Sequence, residues 1–497
     1  MVGAGPGNLG LVTLRAKECV EQADVIVYDY LSNPQILRWA RPDAEVIYAG
    51  KKAGNHALKQ DEINELLVRH ALAGKKVLRL KGGDPMIFGR GGEEAEELRD
   101  AGVDFEIVPG ISSTIGGPAF AGIPVTHREH NSELLIFTGH EDPEKGETSL
   151  DYAKIAANPG TKVFLMGVGR MRQIMSALID AGADPKTPIA LVRWATTPKQ
   201  ETLVGTLGDI ADKVEKTGFA SPAVAVIGNV VKLRDRISWF ENRPLFGKRI
   251  VVTRTRQQAG ELSRELDVLG ADVFELPTIR KAPPTDLEAF GRLVLEAHKY
   301  SWIVFTSPIG VDAFFDLYYK IYDDARSIGG ARIAAVGPGT ARRIKDFHLK
   351  VDLMPELHVA EGLVKAFKKD PKVGSLENET VLWVRPEEAR DVITKGLTEA
   401  GAIVDEALAY KTVAETEDIS GGQERLREEG ADVITFTSSS TVEHFFELGI
   451  PLPEGCKIAS IGPVTSATIM AFGHKVDIEA RSHDIPGLVK AIEKYFG

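Results

Sequence analysis

Glycine-rich turns are the residues of this chain best placed to act on a small molecule. The densest covers residues 82–92, Gly-Gly-Asp-Pro-Met-Ile-Phe-Gly-Arg-Gly-Gly, between an apolar run at 77–80 and a helical pattern that begins at Glu93. Turns at 3–10 and 109–113 also lie beside predicted strands. Glycine lets the backbone adopt positive φ and approach a ligand closely, and the carboxyl ends of parallel strands bind small ligands. The three turns therefore predict one small-molecule site.

Two charged residues at predicted strand ends are candidates for acid–base work. Asp29 ends the run 23–29, and Lys51 ends the run 45–51. Asp29 could equally bind a sugar hydroxyl or cap a helix, and Lys51, beside Lys52, could be an ordinary surface lysine. A glycine turn, a helix and an acid about 20 residues further on also resemble a nicotinamide-dinucleotide site. Asn8 at the third glycine position and the turn at 82–92 speak against that alternative.

Hydroxyl residues recur in the C-terminal half wherever a predicted strand gives way to a predicted helix. There, amides and hydroxyls bind anions, although any single hydroxyl is more simply a helix cap. Their matched positions, with Arg254 nearby, favour a polyanion site in which a reactive substrate is held in shape. The residues are Thr306, Ser307, Ser438, Ser439 and Thr465.

The elements that must position these residues are alternating strands and helices, so the first 124 residues predict a mainly parallel sheet. Strands are expected at 23–29, 45–51, 77–80 and 105–108, and a second lobe at about 125–240 with strands at 134–140, 161–167, 189–192 and 223–228. Residues 241–247 have the composition of a linker. A chain of 497 residues is too long for one core,.

The C-terminal half contains an internal duplication. Residues 249–254, 302–307 and 335–340 are echoed, in the same order, by 380–385, 432–438 and 460–465. This pattern predicts two similar α/β lobes, each a small parallel sheet wrapped by helices.

Composition limits the possible partners and compartment. The formal net charge of −11 argues against general nucleic-acid binding,, and no apolar run is long enough to span a bilayer. Only two cysteines occur, Cys19 and Cys456, without ligand-like spacing. We therefore expect a cytoplasmic protein without a disulfide, a metal site or a membrane anchor.

The residues named above also match known families. Residues 1–240 closely resemble uroporphyrinogen-III C-methyltransferases, which belong to the tetrapyrrole methylase family, and residues 248–497 resemble uroporphyrinogen-III synthases through their duplicated two-lobe pattern. The motifs that carry the first resemblance are Val-Gly-Ala-Gly-Pro-Gly at 2–7, Arg-Leu-Lys-Gly-Gly-Asp-Pro at 79–85, Phe-Gly-Arg-Gly-Gly-Glu-Glu at 88–94 and Gly-Ile-Pro-Val-Thr-His-Arg at 122–128. Family members usually carry several residues before the position of Val2, so we expect the printed start to be shortened.

The resemblance implies roles for particular residues. S-adenosylmethionine would be the methyl donor, with S-adenosylhomocysteine as the product. Asp29 would accept a proton and Lys51 would donate one, while Tyr410 would assist loss of a hydroxyl from the synthase substrate. The same hydroxyl residues and Arg254 would bind that substrate. The cofactor would be held by Pro6, Gly82, Gly83, Asp84, Ile87, Ser112, Ser113, Met166 and Ala195.

Three departures from the family pattern are visible. Ser112-Ser113 stand where the family often has Thr-Ala, Ala195 where it often has glycine, and Val464 where a second threonine is often found. Backbone contacts of Ala195 survive such a change.

The resemblance also implies the fold and the activity. A two-lobed tetrapyrrole-methylase fold (1–124 and 125–240) would precede a duplicated two-lobe, flavodoxin-like α/β synthase fold (248–279 with 411–497, and 280–410). The synthase half would cyclise hydroxymethylbilane to uroporphyrinogen III, and the methylase half would methylate C2 and C7 to give precorrin-2, on the route to sirohaem and cobalamin. A homodimer through the methyltransferase half is implied.

Two alternatives remain open within this resemblance. The methylase half could act on a later precorrin, or the C-terminal half could only bind tetrapyrrole and pass it on.

Overall fold

The structure is a computed structural model that describes residues 1–50, 58–139, 149–254, 256–369, 373, 375–389, 391–415 and 421–497, without the side chains of 256–259. Lys51 lies outside the described residues. The chain divides into two compact units. The first comprises Met1–Ile250, Arg264–Val273 and Val489–Gly497, and the second comprises Val251–Ser263 and Phe274–Leu488.

The first sheet of the first unit is fully parallel, as predicted, with strand order β1-β4-β2-β3. Its strands are β1 (Val2–Gly3), β2 (Val25–Tyr28), β3 (Glu45–Tyr48) and β4 (Val77–Lys81), and its helices are α1 (Leu14–Gln22), α2 (Gln60–Leu72), α3 (Gly91–Asp100) and α4 (Ser113–Phe120). Helix α1 begins where the Thr13 side chain accepts a hydrogen bond from Ala16 N, and it buries Ala16 and Val20 against β2 and β4.

The prediction of a strand at 105–108 is wrong. Only Val108 forms a bridge, to Val2, in this segment. Val108 forms two backbone hydrogen bonds, from Gly3 N to Val108 O and from Val108 N to Met1 O, both 2.9 Å long, and Met1 N donates to Glu106 O at 2.7 Å. Because β1 is two residues long and Pro109 has no N–H to donate, the ladder stays short.

The second sheet of the first unit has order β5-β6-β9-β7-β8 and is mostly antiparallel, with β5 and β6 as its parallel pair. Strand β8 was not predicted from the sequence, because its only strongly apolar residues are Leu203 and Val204, too short a run to indicate a strand. The elements are β5 (Leu134–Thr138), α5 (Tyr152–Ala157), β6 (Thr161–Leu165), α6 (Met171–Asp180), β7 (Pro188–Arg193), β8 (Glu201–Thr206), α7 (Ile210–Thr217), β9 (Ala223–Ile227) and α8 (Arg234–Ile237).

Residues 241–247, expected to be a linker, are packed within the first unit. Leu245 is fully buried, and the Glu241 carboxylate accepts hydrogen bonds from Gln200 Nε2 at 2.7 Å and Thr202 Oγ1 at 2.6 Å. Arg234 pairs with the same carboxylate. A polar, Pro- and Gly-containing composition predicts a linker here, but composition could not reveal these distant partners.

One five-stranded sheet of the C-terminal half has order β12-β16-β15-β13-β14 and is parallel except for its antiparallel edge strand β12. In chain order, β10 (Arg249–Val252), α9 (Arg256–Val268) and β11 (Asp272–Glu275) come first. This sheet and its helices follow: β12 (Ile279–Ala282), α10 (Leu287–Leu295), β13 (Trp302–Phe305), α11 (Pro308–Ile321), β14 (Arg332–Ala335), α12 (Pro338–Asp346), α13 (Ala360–Lys369), β15 (Thr380–Pro386), α14 (Val392–Thr398) and β16 (Ile403–Ala414).

The other sheet has order β11-β10-β17-β18-β19. Each sequence repeat therefore contributes strands to both sheets, because β10 of the first repeat lies beside β17 of the second. Buried hydroxyls support this sheet: Thr253 Oγ1 donates to Thr435 O at 2.7 Å, and Thr435 Oγ1 donates to Val251 O at 2.9 Å. Its remaining elements are α15 (Gly422–Glu429), β17 (Val433–Phe436), α16 (Ser439–Glu447), β18 (Lys457–Ser460), α17 (Pro463–Ala471), β19 (Ile478–Glu479) and α18 (Ile485–Phe496).

Two further properties concern the described residues alone. None of their helices combines the length and apolar character needed to cross a bilayer. They also contain no group of three or more His, Cys, Asp or Glu arranged to hold a metal ion.

Candidate functional site

The three glycine turns of the first unit lie against one another. Gly83 N donates to Gly5 O at 2.7 Å, and Gly5 N donates to Gly83 O at 3.2 Å. A Cβ built on Gly110 would lie 2.2 Å from Gly83 O and 2.8 Å from Gly3 Cα. Contacts this close leave no room for a side chain, so the glycines are required by backbone packing at these positions.

Asp84 holds two of these turns together. Its Oδ1 accepts a hydrogen bond from Met86 N at 2.8 Å, and its Oδ2 accepts one from Gly110 N at 3.0 Å. The carboxylate therefore fixes its own 82–92 turn through the bond from Met86 N and joins that turn to the 109–113 turn through the bond from Gly110 N, and both bonds are charge-assisted,. Asp84 shapes the backbone of the site, and both of its oxygens are engaged in doing so.

Helix α4 begins at the same place. Ser112 is its N-cap and accepts from Thr114 N at 3.3 Å, and Ser112 is buried. A Cβ on Gly83, whose φ is +71°, would lie 3.7 Å from Ser113 N, so a side chain at Gly83 would enter the space before this helix. A Cβ on Gly116 would meet Pro6 Cγ at 2.9 Å, which places Pro6 against α4.

Ala195 reaches the same group of residues from the second sheet. A Cβ on Gly117 would lie 3.1 Å from Ala195 Cβ, and one on Gly7 would lie 3.4 Å from Ala195 O. Asn8 N also donates to Thr196 Oγ1 at 3.1 Å. Pro6, Gly82, Gly83, Asp84, Ser112, Ser113 and Ala195, predicted from scattered stretches of sequence, are therefore brought together.

Strained backbone marks the second-sheet side of this site. Met166, directly after β6, has φ of +59°, and Trp194 and Thr196 have φ of +45° and +70°. Non-glycine residues adopt this region at a cost and concentrate at ligand sites. Met166 is 49% exposed, and no described contact links its side chain to the glycine turns; Ile87, half-buried, donates its N–H to Asp84 O at 3.3 Å.

Asp29 follows β2 and is fixed by three neighbours. Its Oδ1 accepts hydrogen bonds from Leu31 N at 3.1 Å and Ser32 Oγ at 3.2 Å. Its Oδ2 faces Arg79 Nη2 at 3.5 Å. A Cβ on Gly82 would lie 2.6 Å from Leu31 Cβ, so the Asp29 turn packs directly on the 82–92 turn.

A buried charge network behind Asp29 was not assigned from the sequence. Lys81 Nζ lies 2.5 Å from Glu94 Oε1, and Arg79 Nε lies 3.4 Å from the same oxygen. The Glu94 side chain is fully buried, and its Oε2 has no hydrogen-bond partner among the residues that the structure describes. Burial lowers the pKa of Lys81, and the Arg79 charge adds to this effect, whereas Glu94 opposes it. The sequence did contain a signal for this network, because Arg79 and Lys81 are two cations at alternate positions of an otherwise apolar strand.

The residues present suit S-adenosylmethionine. Glycine backbone and the free end of α4 offer N–H donors to the polar groups of such a ligand, while Pro6, Ile87 and Ala195 add apolar surface. Because Gly83 has no side chain, the space in front of it and beside Ser113 N stays open for such a ligand.

The C-terminal half contains a second candidate centre around Tyr410. The Tyr410 hydroxyl and Ser307 Oγ are 2.9 Å apart, and Ser307 Oγ also accepts from Gly310 N at 3.0 Å as the N-cap of α11. Tyr410 is buried, and burial raises its pKa, with a smaller opposing effect from Ser307. The phenol is therefore held protonated.

The other predicted hydroxyls form a separate group. Ser438 caps α16 by accepting from Thr441 N at 3.3 Å, and Ser439 Oγ accepts from Thr468 Oγ1 at 2.8 Å. Thr465 is buried in the first turn of α17. Thr306 directly precedes Ser307. Arg254 follows β10, and burial lowers its pKa. No hydrogen bond between described residues links the Ser438 group to Tyr410.

Comparisons with known proteins agree with this division. The model of Tetrapyrrole (Corrin/Porphyrin) Methylases matches residues 1–211, and that of Uroporphyrinogen-III synthase HemD matches residues 260–490. The Porphyrin biosynthesis protein HemD of Ruminiclostridium josui is 38% identical over 491 residues, which is 98% of this chain and 93% of that protein.

Other relatives match a smaller share of the chain. The Uroporphyrinogen-III C-methyltransferase of Bacillus subtilis (strain 168) is 41% identical over 314 residues, 63% of this chain and 64% of that protein. A Siroheme synthase of Chromobacterium violaceum is 48% identical over 240 residues, 48% of this chain and 51% of that protein, so the chain spans about half its length. A solved uroporphyrin-III C-methyl transferase from Thermus thermophilus, complexed with S-adenyl homocysteine, is 39% identical, with a TM-score of 0.41, over 47% of this chain and 97% of that one.

The matched regions define a protein with a methylase half and a synthase half. The chain belongs to the family of tetrapyrrole methylases fused to uroporphyrinogen-III synthases. The predictions of these two families, of the fold class and of the two enzyme classes are confirmed.

Proposed function

We propose that this chain catalyses two consecutive steps of tetrapyrrole biosynthesis: cyclisation of hydroxymethylbilane to uroporphyrinogen III, then methylation of uroporphyrinogen III at C2 and C7 to give precorrin-2. The observation that carries the methylase assignment is the Asp84 clasp, which fixes two glycine turns in front of α4. Membership of the family makes S-adenosylmethionine the methyl donor.

In the methylase half, the residues of this chain would position the reactants and remove a proton. When bound, S-adenosylmethionine supplies an electrophilic methyl group on a sulfonium. The glycine turns around Gly83 and the N-terminus of α4 would hold that methyl group in line with an electron-rich pyrrole carbon, so that the new carbon–carbon bond would form as the carbon–sulfur bond breaks and S-adenosylhomocysteine departs. Asp29, oriented by Leu31 N and Ser32 Oγ, is proposed to accept a proton from the methylated substrate,. The role of Lys51 as a proton donor stays a prediction, since Lys51 lies outside the described residues.

In the synthase half, the Tyr410 hydroxyl is proposed to assist departure of the substrate hydroxyl. Its raised pKa keeps it protonated, so it can donate a hydrogen bond to the leaving oxygen,. Ser307 orients it from 2.9 Å. Ser438, Ser439, Thr306, Thr465 and Arg254 are proposed to bind the carboxylates of the substrate.

A homodimer through the methyltransferase half and a cytoplasmic location complete the proposal. Light scattering on the purified full chain, in comparison with a separately expressed C-terminal half of demonstrated folding, would test the dimer. A dimer formed by the C-terminal half alone would contradict it.

Two separate assays on the full chain test the two activities. Uroporphyrinogen III with S-adenosylmethionine should gain two methyl groups by mass spectrometry, and hydroxymethylbilane alone should give the type-III isomer of uroporphyrinogen. Failure of the first assay, with methylation of a dimethylated precorrin instead, would favour the later-precorrin alternative. Failure of only the second would favour a C-terminal half that binds tetrapyrrole without converting it.

A further inference from the structure

A lysine with no assigned role lies beside the Tyr410 centre. Lys281 is on the edge strand β12 and is paired in register with Thr412 on β16. Tyr410 lies two residues before Thr412, so Lys281 and Tyr410 share one face of the sheet as diagonal neighbours. Lys281 Nζ stands over the Tyr410 ring, 5.1 Å from its centroid.

The ammonium of Lys281 is only partly satisfied. Within the described part of the chain, it forms one hydrogen bond, to Thr412 Oγ1 at 2.6 Å, and no ion pair. Glu388 acts on it through space, while the Glu388 carboxylate itself accepts a hydrogen bond from Thr412 N at 2.9 Å. An ammonium has three N–H donors, so two of them have no hydrogen-bond acceptor among the described residues.

Partial burial weakens the hydration of this ammonium and favours an anion as its partner. Lys281 is half-buried, and desolvation lowers its pKa, with Glu388 opposing that effect. Most half-buried lysines pair with a carboxylate or extend their amine into water. Here the amine lies instead against an aromatic face whose hydroxyl is bonded to Ser307.

We propose that Lys281 is a substrate-binding residue of the synthase half, whose ammonium binds one carboxylate of the linear tetrapyrrole beside the Tyr410–Ser307 pair. This inference rests on the proposed synthase function and deepens it. The carboxylate would satisfy the open donors of Lys281 and hold the substrate so that its leaving hydroxyl meets Tyr410. Because the contact forms on binding and is kept throughout, its loss should appear in KM and not in kcat.

Steady-state kinetics of the full chain with hydroxymethylbilane test the inference. Lys281→Met removes the charge but keeps an apolar stem, whereas Lys281→Arg keeps the charge. Lys299→Met is the matched control, because Lys299 is exposed and its one ion pair among the described residues is with Glu296 of the same segment. We expect KM to rise about tenfold in Lys281→Met, equivalent to about 1.4 kcal/mol, with kcat within about threefold of wild type. Lys281→Arg and Lys299→Met should resemble wild type, and the salt dependence of KM should weaken in Lys281→Met.

Each other outcome overturns the inference. An unchanged KM in Lys281→Met would show that the charge does not bind substrate, and a fall in kcat alone would show a different role. Equal losses in Lys281→Met and Lys281→Arg would indicate a structural role, as would a loss of thermal stability in Lys281→Met that Lys281→Gln shares. Absence of type-III product from the wild-type chain would instead overturn the proposed synthase activity itself.

Discussion

Substitution of Asp84 distinguishes between two roles for its carboxylate: holding the two glycine turns together, or contacting the cofactor directly. Each hydrogen bond to a charged group contributes about 1.5–3 kcal/mol, and Asp84 accepts two such bonds, from Met86 N and Gly110 N. Since Asp84 is only half-buried, the lower end of that range applies, and Asp84→Ala should cost the two turns about 3 kcal/mol. If that energy must be supplied when the cofactor binds, Kd rises roughly a hundredfold.

Asp84→Asn provides the discriminating comparison. Its amide has one oxygen, so it can replace one of the two accepted bonds and should raise Kd only about tenfold. Isothermal titration calorimetry with S-adenosylhomocysteine on the full chain measures both values. Asp43→Ala is the control, because Asp43 is exposed and its one ion pair in the described part of the chain is with Arg41, so the Kd of this variant should match wild type.

Two results would refute this reasoning. A Kd of Asp84→Ala within twofold of wild type would show that the clasp does not shape the site. Equal losses in Asp84→Ala and Asp84→Asn would show that the charge itself matters, as expected for direct contact with the cofactor.

Three further substitutions test neighbouring parts of the account. Gly110→Ala should weaken S-adenosylhomocysteine binding at least tenfold and lower the melting temperature, because its Cβ would lie 2.2 Å from a backbone oxygen; Gly92→Ala, with nothing within 4 Å, should do neither. Glu94→Gln breaks a buried ion pair and should lower the free energy of unfolding, measured with urea, by about 3 kcal/mol. Tyr410→Phe should reduce kcat for ring closure about fivefold at unchanged KM, because Ser307 keeps its bond to the α11 backbone.

Specific results would contradict each of these expectations. Equal behaviour of Gly110→Ala and Gly92→Ala would deny the close packing of the turns. A change in unfolding free energy below about 1 kcal/mol for Glu94→Gln would mean that Glu94 is not a charged partner of Lys81. An unchanged kcat in Tyr410→Phe would show that the phenol takes no part in ring closure.

The sequence predicts the turns better than the contacts between them. Glycine spacing at 82–92 indicates a tight turn, which the structure contains, since a turn depends mainly on local conformation,. Asp84 accepts a hydrogen bond from Gly110, which is 26 residues away. Lys81 and Arg79 both contact the Glu94 carboxylate, which lies in the next helix. No periodicity within one element reports such pairings, because they form only when separate elements pack.

The duplicated half illustrates the same limit. Matched blocks indicate two similar lobes, but similarity cannot say which strands pair. Thr253 and Thr435, bonded across β10 and β17, are 182 residues apart and belong to different repeats. The predicted lobe boundaries, which came from the family resemblance, stay predictions, as do the roles of the site residues.

One incubation tests the central claim most directly. The purified full chain receives hydroxymethylbilane and S-adenosylmethionine carrying a ¹³C-labelled methyl group, and mass spectrometry follows the products. We expect a type-III macrocycle with two labelled methyl groups and two equivalents of S-adenosylhomocysteine. Unmethylated uroporphyrinogen, or methylation only after uroporphyrinogen III is supplied, would contradict a chain that performs both steps.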